Sequence, residues 1–297
     1  MGRWLLKAVL SLLALVVCFP PPAAAKTVVF ASILPQRYFI EQIATDRVDI
    51  RVMVSPGASP ATYEPKPRQM AALSAASAYF AVGVPFERVW LEKIAAANPS
   101  MKIVHTEQGI DKMAMDVAGH AHGGHGEGVE QAPHTVLDPH VWTSPPLVMI
   151  QARNILAGLM AVDPANRDHY VEHYKKFQGE LADLDTTLLS VFSKQERLDR
   201  FMVFHPSWGY FADAYGLTQV PIEIEGKAPK PAQLAALVDH ARKLRVRVIF
   251  VQPQFSTQSA ELIAREIGGR VVFADPLAAD WAANMRRQAE AFRAAMQ

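Results

Sequence analysis

From Lys26 onward, short apolar runs rich in Val, Ile and Phe alternate with segments whose apolar positions recur every three or four residues. The first pattern marks strands and the second marks helices. On this basis Thr27–Ala31, Val48–Val54, Ala78–Val82 and Lys102–Val104 are strands. Helices fall at Pro35–Ile43, around Gln69–Ala76 and around Phe86–Ala97, with a Pro/Gly loop from Ser55 to Pro67. Past Arg200 the rhythm resumes with strands Phe201–Phe204, Val220–Ile224, Val246–Val251 and Val271–Ala274. Helices Gly209–Ala214, Pro231–Leu244, Ala260–Ile267 and Trp281–Met296 lie between and after them. Strands alternating with helices predict mainly parallel sheets with helices on their faces.

Two stretches depart from this rhythm. Leu147–Val162 reads as one helix, and Asp163-Pro164 opens another, with Asp as N-cap and Pro at the first helical position. Its apolar residues Tyr170, Tyr174, Phe177, Leu181, Leu184, Leu188 and Val191 are spaced by alternating fours and threes, one stripe down a continuous helix. A helix of about thirty residues at ~1.5 Å each spans ~45 Å, the length of a whole domain. The sustained charge pairing of a coiled coil is not evident. Residues 117–136 are rich in Gly and His, carry Glu127 and Glu130, lack apolar periodicity and read as a mobile loop. The predicted fold is α/β, two lobes with mainly parallel sheets flanked by helices and joined by a single long helix. The expected units are an N-terminal lobe 26–163 carrying the loop, a linker helix 164–195 and a C-terminal lobe 196–297.

The first 25 residues change the picture. Arg3 and Lys7 precede an apolar run from Ala8 to Phe19, Pro20–Pro22 break it, and Ala23-Ala24-Ala25 offers a cleavage site. This is the pattern of a signal peptide and places the mature chain in the periplasm. The run is too short for a comfortable membrane span. Cys18, the 1 cysteine of the chain, lies inside it, preceded by Val17 rather than the small residue lipidation favours. The mature chain is therefore expected to have no disulfide and to build a metal site from His, Asp or Glu. A net charge of +1 gives no electrostatic case for nucleic acid or an anionic membrane surface.

In α/β lobes, ligands gather beyond the carboxyl ends of strands. His205 directly follows one such strand and Asp275 another, while His140 follows the His-rich loop of the first lobe. A cleft between the lobes could bring the three together, and two imidazoles with a carboxylate suit zinc or a similar divalent ion. Singly each is weak: a lone His after a strand is more often a hydrogen-bonded structural residue, and an Asp before Pro276 more often belongs to a turn. His105, which follows Val104, reads as structural.

The mature chain resembles the solute-binding proteins of zinc and manganese ABC transporters. The matching segments are Pro56-Gly57-Ala58-Ser59-Pro60 with Thr62-Tyr63-Glu64-Pro65, Asp138-Pro139-His140-Val141-Trp142, and Phe204-His205-Pro206 leading to Gly209-Tyr210-Phe211. Pro253-Gln254-Phe255-Ser256 and Asp275-Pro276-Leu277 complete the set. The resemblance implies two lobes on one long helix, a metal at their interface, a membrane ABC permease as partner, and no catalysis. It implies His140 and His205 as imidazole ligands and Asp275 as a carboxylate ligand. The His at 205 and the His-rich loop resemble the zinc branch, so Zn2+ is expected, with Mn2+, iron or another divalent ion as the alternative. A monomer is expected. One departure stands out: Ala61 occupies the position where the family motif usually has His. The position this opens could be filled by water, by Glu64, or by His120, His122, His125 or His134.

Two features point toward an enzyme instead. His169-Tyr170-Val171-Glu172-His173 matches the zinc-protease pattern H-x-x-E-H, although it flanks the packing stripe of a helix rich in Lys, Glu and Asp and reads as a solvated face. An open coordination position could also hold a catalytic water, but no general base is identified for it.

Overall fold

In the computed structural model, which describes residues 26–115, 136–193, 199–223 and 229–297, the two strand–helix series form two four-stranded sheets. The first comprises β1 (Thr27–Ala31), β2 (Val48–Val52), β3 (Ala76–Ala81) and β4 (Lys102–His105), in the order β2-β1-β3-β4 with every pairing parallel. The second comprises β5 (Arg200–Val203), β6 (Thr218–Pro221), β7 (Val248–Val251) and β8 (Arg270–Phe273), in the order β6-β5-β7-β8, again parallel. Parallel strands need crossovers, and the helices supply them, covering both faces. That is why Ala78–Ala81 and Val248–Val251 are continuously buried rather than alternating. In each lobe the order reverses beside the central strand pair, which opens a crevice at the carboxyl ends of the strands.

The helices of the first lobe are α1 (Leu34–Ala44), α2 (Pro67–Ala72), α3 (Pro85–Ala97) and α4 (Pro145–Val162). The expected helix to Ala76 ends earlier, passing into a 3₁₀ turn at Leu73–Ala75, and β3 begins at Ala76. Asn98 holds this junction by donating to the carbonyls of Leu73 and Ala76 at 2.9 and 2.8 Å.

The connecting helix α5 spans Arg167–Phe192. Its 26 residues extend roughly 40 Å at ~1.5 Å each. Of the expected stripe, Tyr170, Phe177, Leu181, Leu184 and Leu188 are buried, Tyr174 and Val191 are only partly so, and Phe192 rather than Val191 completes the buried face. Asp163 does not cap it. The Asp163 carboxylate instead accepts from Asn166 Nδ2 at 2.8 Å and from the Tyr170 hydroxyl, so a 3₁₀ turn at Pro164–Asn166 intervenes. α5 packs on α4, on α1 and on the last helix, α9 (Trp281–Ala295), and so touches both lobes. Phe39 of α1 meets Trp281 of α9 edge-on at 5.0 Å, with Phe177 of α5 6.2 Å from Phe39. At the other end Phe192 lies 5.8 Å from Phe211 of α6 (Gly209–Ala214). The second lobe is completed by α7 (Pro231–Lys243) and α8 (Gln258–Glu266). The segment 1–25 with Cys18, and residues 117–135 of the His-rich stretch, lie outside the described residues.

Candidate metal centre

His205 stands two residues past the end of β5, and the sheet order decides its surroundings. β6 pairs with β5, placing Val203 beside Pro221, so Glu223 leaves β6 alongside His205. Glu223 Oε1 accepts from His205 Nδ1 at 2.7 Å. On the other side, β7 delivers Gln252, whose amide nitrogen donates to the His205 carbonyl at 2.6 Å and to Ser207 Oγ at 2.8 Å. His205 is thus held at both backbone and ring.

His140 is built locally. Asp138 Oδ1 accepts from the backbone N–H of His140 at 2.9 Å and from its Nδ1 at 2.6 Å, folding Asp138-Pro139-His140 into a turn that aims the ring. Asp138 is buried at 1% exposure, and the second lobe closes over it. Tyr210 donates its hydroxyl to the Asp138 carbonyl at 2.9 Å and accepts from Met113 N–H at 3.0 Å. Gly209 permits the approach: a Cβ there would lie 2.9 Å from Asp138 Oδ2.

A carboxylate can only accept, so each histidine carries its proton on Nδ1 and leaves Nε2 with a free lone pair. This carboxylate–imidazole pairing orients metal-binding histidines and raises their basicity. Burial pushes the His140 ring below the usual imidazole value, against the opposing pull of Asp138, and so favours the neutral, ligating form. The two rings come from different lobes, with centroids 5.2 Å apart and planes at 74°. Both line one cleft of about 470 Å³, together with Ala61, Met115, Trp142 and Gln254.

Asp275 is placed differently. Its Oδ1 accepts from Gln254 Nε2 at 3.0 Å and from Leu277 N–H at 2.9 Å, and it lines the neighbouring cavity of about 390 Å³ with Gly57 and Ala58. Among the described residues no three His, Cys, Asp or Glu side chains gather at ligating distance. The structure therefore joins His140 to His205 and keeps Asp275 one side chain away, behind Gln254. Glu64 is exposed and lines neither cavity, whereas Ala61 faces the cleft. His120, His122, His125 and His134 lie outside the described residues. His105 is half-exposed and pairs with Glu107 at 3.3 Å.

The His169 and His173 rings lie 4.1 Å apart on α5, tilted by 32°, and neither lines the cleft. His173 Nδ1 bonds the His169 carbonyl at 2.9 Å, and His169 Nε2 bonds Thr45 Oγ1 at 2.9 Å. These contacts tie α5 to the end of α1, and no third ligand joins the pair among the described residues. Sequence reasoning assigned no role to Asp138, Glu223 or Gln252. Asp138 lies inside the motif that contains His140 and was within reach of local analysis. Glu223 lies 18 residues from His205 and gives no local signal.

The family described as zinc-uptake complex component A, periplasmic, matches residues 29–295. The high-affinity zinc uptake system protein ZnuA of Bacillus subtilis (strain 168) is 31% identical over 249 residues, covering 82% of this chain and 76% of that protein. The zinc-binding lipoprotein AdcA of Streptococcus pneumoniae (strain ATCC BAA-255 / R6) is 26% identical over 276 residues, and the chain spans 54% of its length. A crystal structure of a ZnuA 138–173 deletion mutant with zinc bound superposes with a TM-score of 0.83 at 41% identity, covering 92% of this chain and 99% of that one.

Proposed function

Because the chain belongs to the zinc-uptake complex component A family of periplasmic proteins, we propose that it holds zinc between its lobes through His140 and His205. It is a high-affinity zinc-binding protein of the periplasm that delivers its metal to an ABC transporter, and it is a carrier rather than an enzyme. Zinc here is cargo. The observation that carries the ligand assignment is the meeting of two imidazoles from opposite lobes, each with Nδ1 engaged by a buried carboxylate and Nε2 left for a metal. Asp275 is the third ligand in this proposal. Its Oδ2 has no hydrogen-bond partner among the described residues, and Gln254 is the side chain that must yield for it to reach the cleft.

Residues 1–25 export the chain and are removed. Residues 26–163 and 196–297 are the two metal-binding lobes, and 164–195 is the brace between them. The protein works as a monomer with a membrane permease and has no nucleic-acid partner, in keeping with its net charge of +1. The His-rich stretch collects zinc weakly for the cleft, because its Gly- and His-rich sequence lacks apolar periodicity and chelation would cost it conformational entropy.

The test is zinc affinity by chelator competition on the mature chain. Zinc binding at the tightest site should fall by more than about 100-fold in His140→Ala and in His205→Ala, beyond the ~10–100-fold typical of losing an outer partner. Unchanged affinity in both variants would remove the cleft assignment.

A further inference from the structure

Among the described residues, the lining of the cleft that holds the two histidines has no carboxylate. Ala61 contributes a methyl group, Trp142 can only donate, and the Gln252 amide is committed to His205 and Ser207. Gln254 directs its amide nitrogen at Asp275. Among the described residues of the lining, Ser59 and Gln254 offer hard neutral oxygens, and Met115 is the one that offers a soft donor, its sulfur. Its backbone is pinned to the rib that carries His140: Met115 N–H donates to the Val136 carbonyl at 2.8 Å, Ala114 bridges Leu137, and Tyr210 anchors Met113. Met115 is partly buried, and its unbranched side chain can adjust the sulfur position without moving that rib.

We propose that Met115 is a thioether ligand in the place that Ala61 leaves without a donor, and that the cleft consequently takes a thiophilic monovalent ion of the Cu(I) type as well as zinc. This rests on the assignment of His140 and His205 as ligands. Two imidazoles and a thioether form a donor set that suits a soft ion, whereas a carboxylate would favour harder ones. Met115 thereby sets specificity. It contributes to Cu(I) binding and little to zinc, whose third donor is the carboxylate of Asp275.

The experiment measures Cu(I) affinity of the full mature chain by competition with bicinchoninate under anaerobic ascorbate, beside zinc affinity by chelator competition. The proteins are the parent, Met115→Leu, His140→Ala and His205→Ala. Leu preserves apolar volume, so Met115→Leu is expected to remain folded. Met115→Leu should lower Cu(I) affinity at least about tenfold, the scale on which ligand-shell losses act, and by a clearly larger factor than it lowers zinc affinity. Cu(I) affinity that is absent in the parent, insensitive to Met115→Leu, or lowered only in step with zinc overturns the proposal. Zinc affinity unaffected by both His variants would instead overturn the ligand assignment beneath it, so the two failures are distinguishable.

Discussion

Trp142 and Trp281 are tied across the two lobes: Trp281 Nε1 donates to the Trp142 carbonyl at 2.8 Å, while Trp142 Nε1 donates to the Pro276 carbonyl, also at 2.8 Å. Both indoles are essentially buried. The two bonds run in opposite directions, and they join the segment bearing His140 to the segment bearing Asp275. Replacing either indole by Phe leaves a buried carbonyl without its donor. Trp142→Phe and Trp281→Phe should each lose about 1–3 kcal/mol of stability, the cost of stranding a buried polar group. Denaturant unfolding measures this, and a loss below about 0.5 kcal/mol in both, less than a typical net hydrogen bond, would mean that the pair does not fasten the lobes.

The carboxylate behind His205 should matter nearly as much as a ligand. Glu223→Ala removes the acceptor that holds Nδ1 and should lower zinc affinity about 10–100-fold. Glu223→Gln keeps an oxygen able to accept the same bond but loses the charge, so its loss should be smaller. Equal affinity in Glu223→Ala and the parent, read by chelator competition, would show that the pairing does not orient the ring.

Burial sets the pH response of His140. The folded ring has a lowered pKa, so below the usual value of about 6.5 the unfolded chain binds more protons at this site than the folded one. This contribution therefore destabilises the metal-free protein as pH falls through that value and vanishes above it. Zinc competes with protons for the same ring, so its affinity should hold level down to about pH 6.5 and decline only below it. Chelator competition between about pH 8 and pH 5 would record the curve. A decline centred above pH ~7 would contradict a neutral His140 in the metal-free state.

Ala61 faces the cleft on a loop held by Tyr63, whose hydroxyl donates to Gln69 Oε1 at 2.7 Å. Ala61→His should supply an imidazole without rebuilding that loop. Zinc affinity should rise at least about tenfold, on the scale by which ligand shells alter binding. The comparison should be made in both the full chain and one lacking residues 119–134. Unchanged affinity in the shortened chain would show that Ala61 does not mark a ligand position.

Two glycines in helices should respond oppositely to the same substitution. Gly179 on α5 has open space around its Cβ position, so Gly179→Ala should stabilise by up to about 1 kcal/mol through helix propensity. Gly158 on α4 packs against the sheet, where a Cβ would meet Phe80 at 2.8 Å and Val104 at 2.9 Å. Overpacking of about 1–3 kcal/mol should outweigh the propensity gain of about 1 kcal/mol and leave Gly158→Ala less stable. Thermal unfolding of the two variants checks both signs.

Local pattern alone carried much of this molecule. Hydrophobic period is a property of neighbouring residues, so the alternation of strands and helices and the stripe from Tyr170 to Leu188 were legible before any fold was known. Placing His205 and Asp275 beyond strand ends needed only that the sheets be parallel. Which groups meet around those residues depends on sheet order and on lobe docking, and neither leaves a trace in local spacing. The pairing of β5 with β6 brings Glu223 to His205, and Gln254 holds Asp275 in the adjoining cavity. The Asp163 side chain likewise accepts from Asn166 and Tyr170 rather than capping the helix it precedes, because several donors compete for one carboxylate and geometry selects among them. The sequence by itself determined the elements and singled out the two histidines as candidates; only the tertiary structure decided that those histidines face one another, each held by a carboxylate, across a cleft whose two lobes are tied by paired tryptophans.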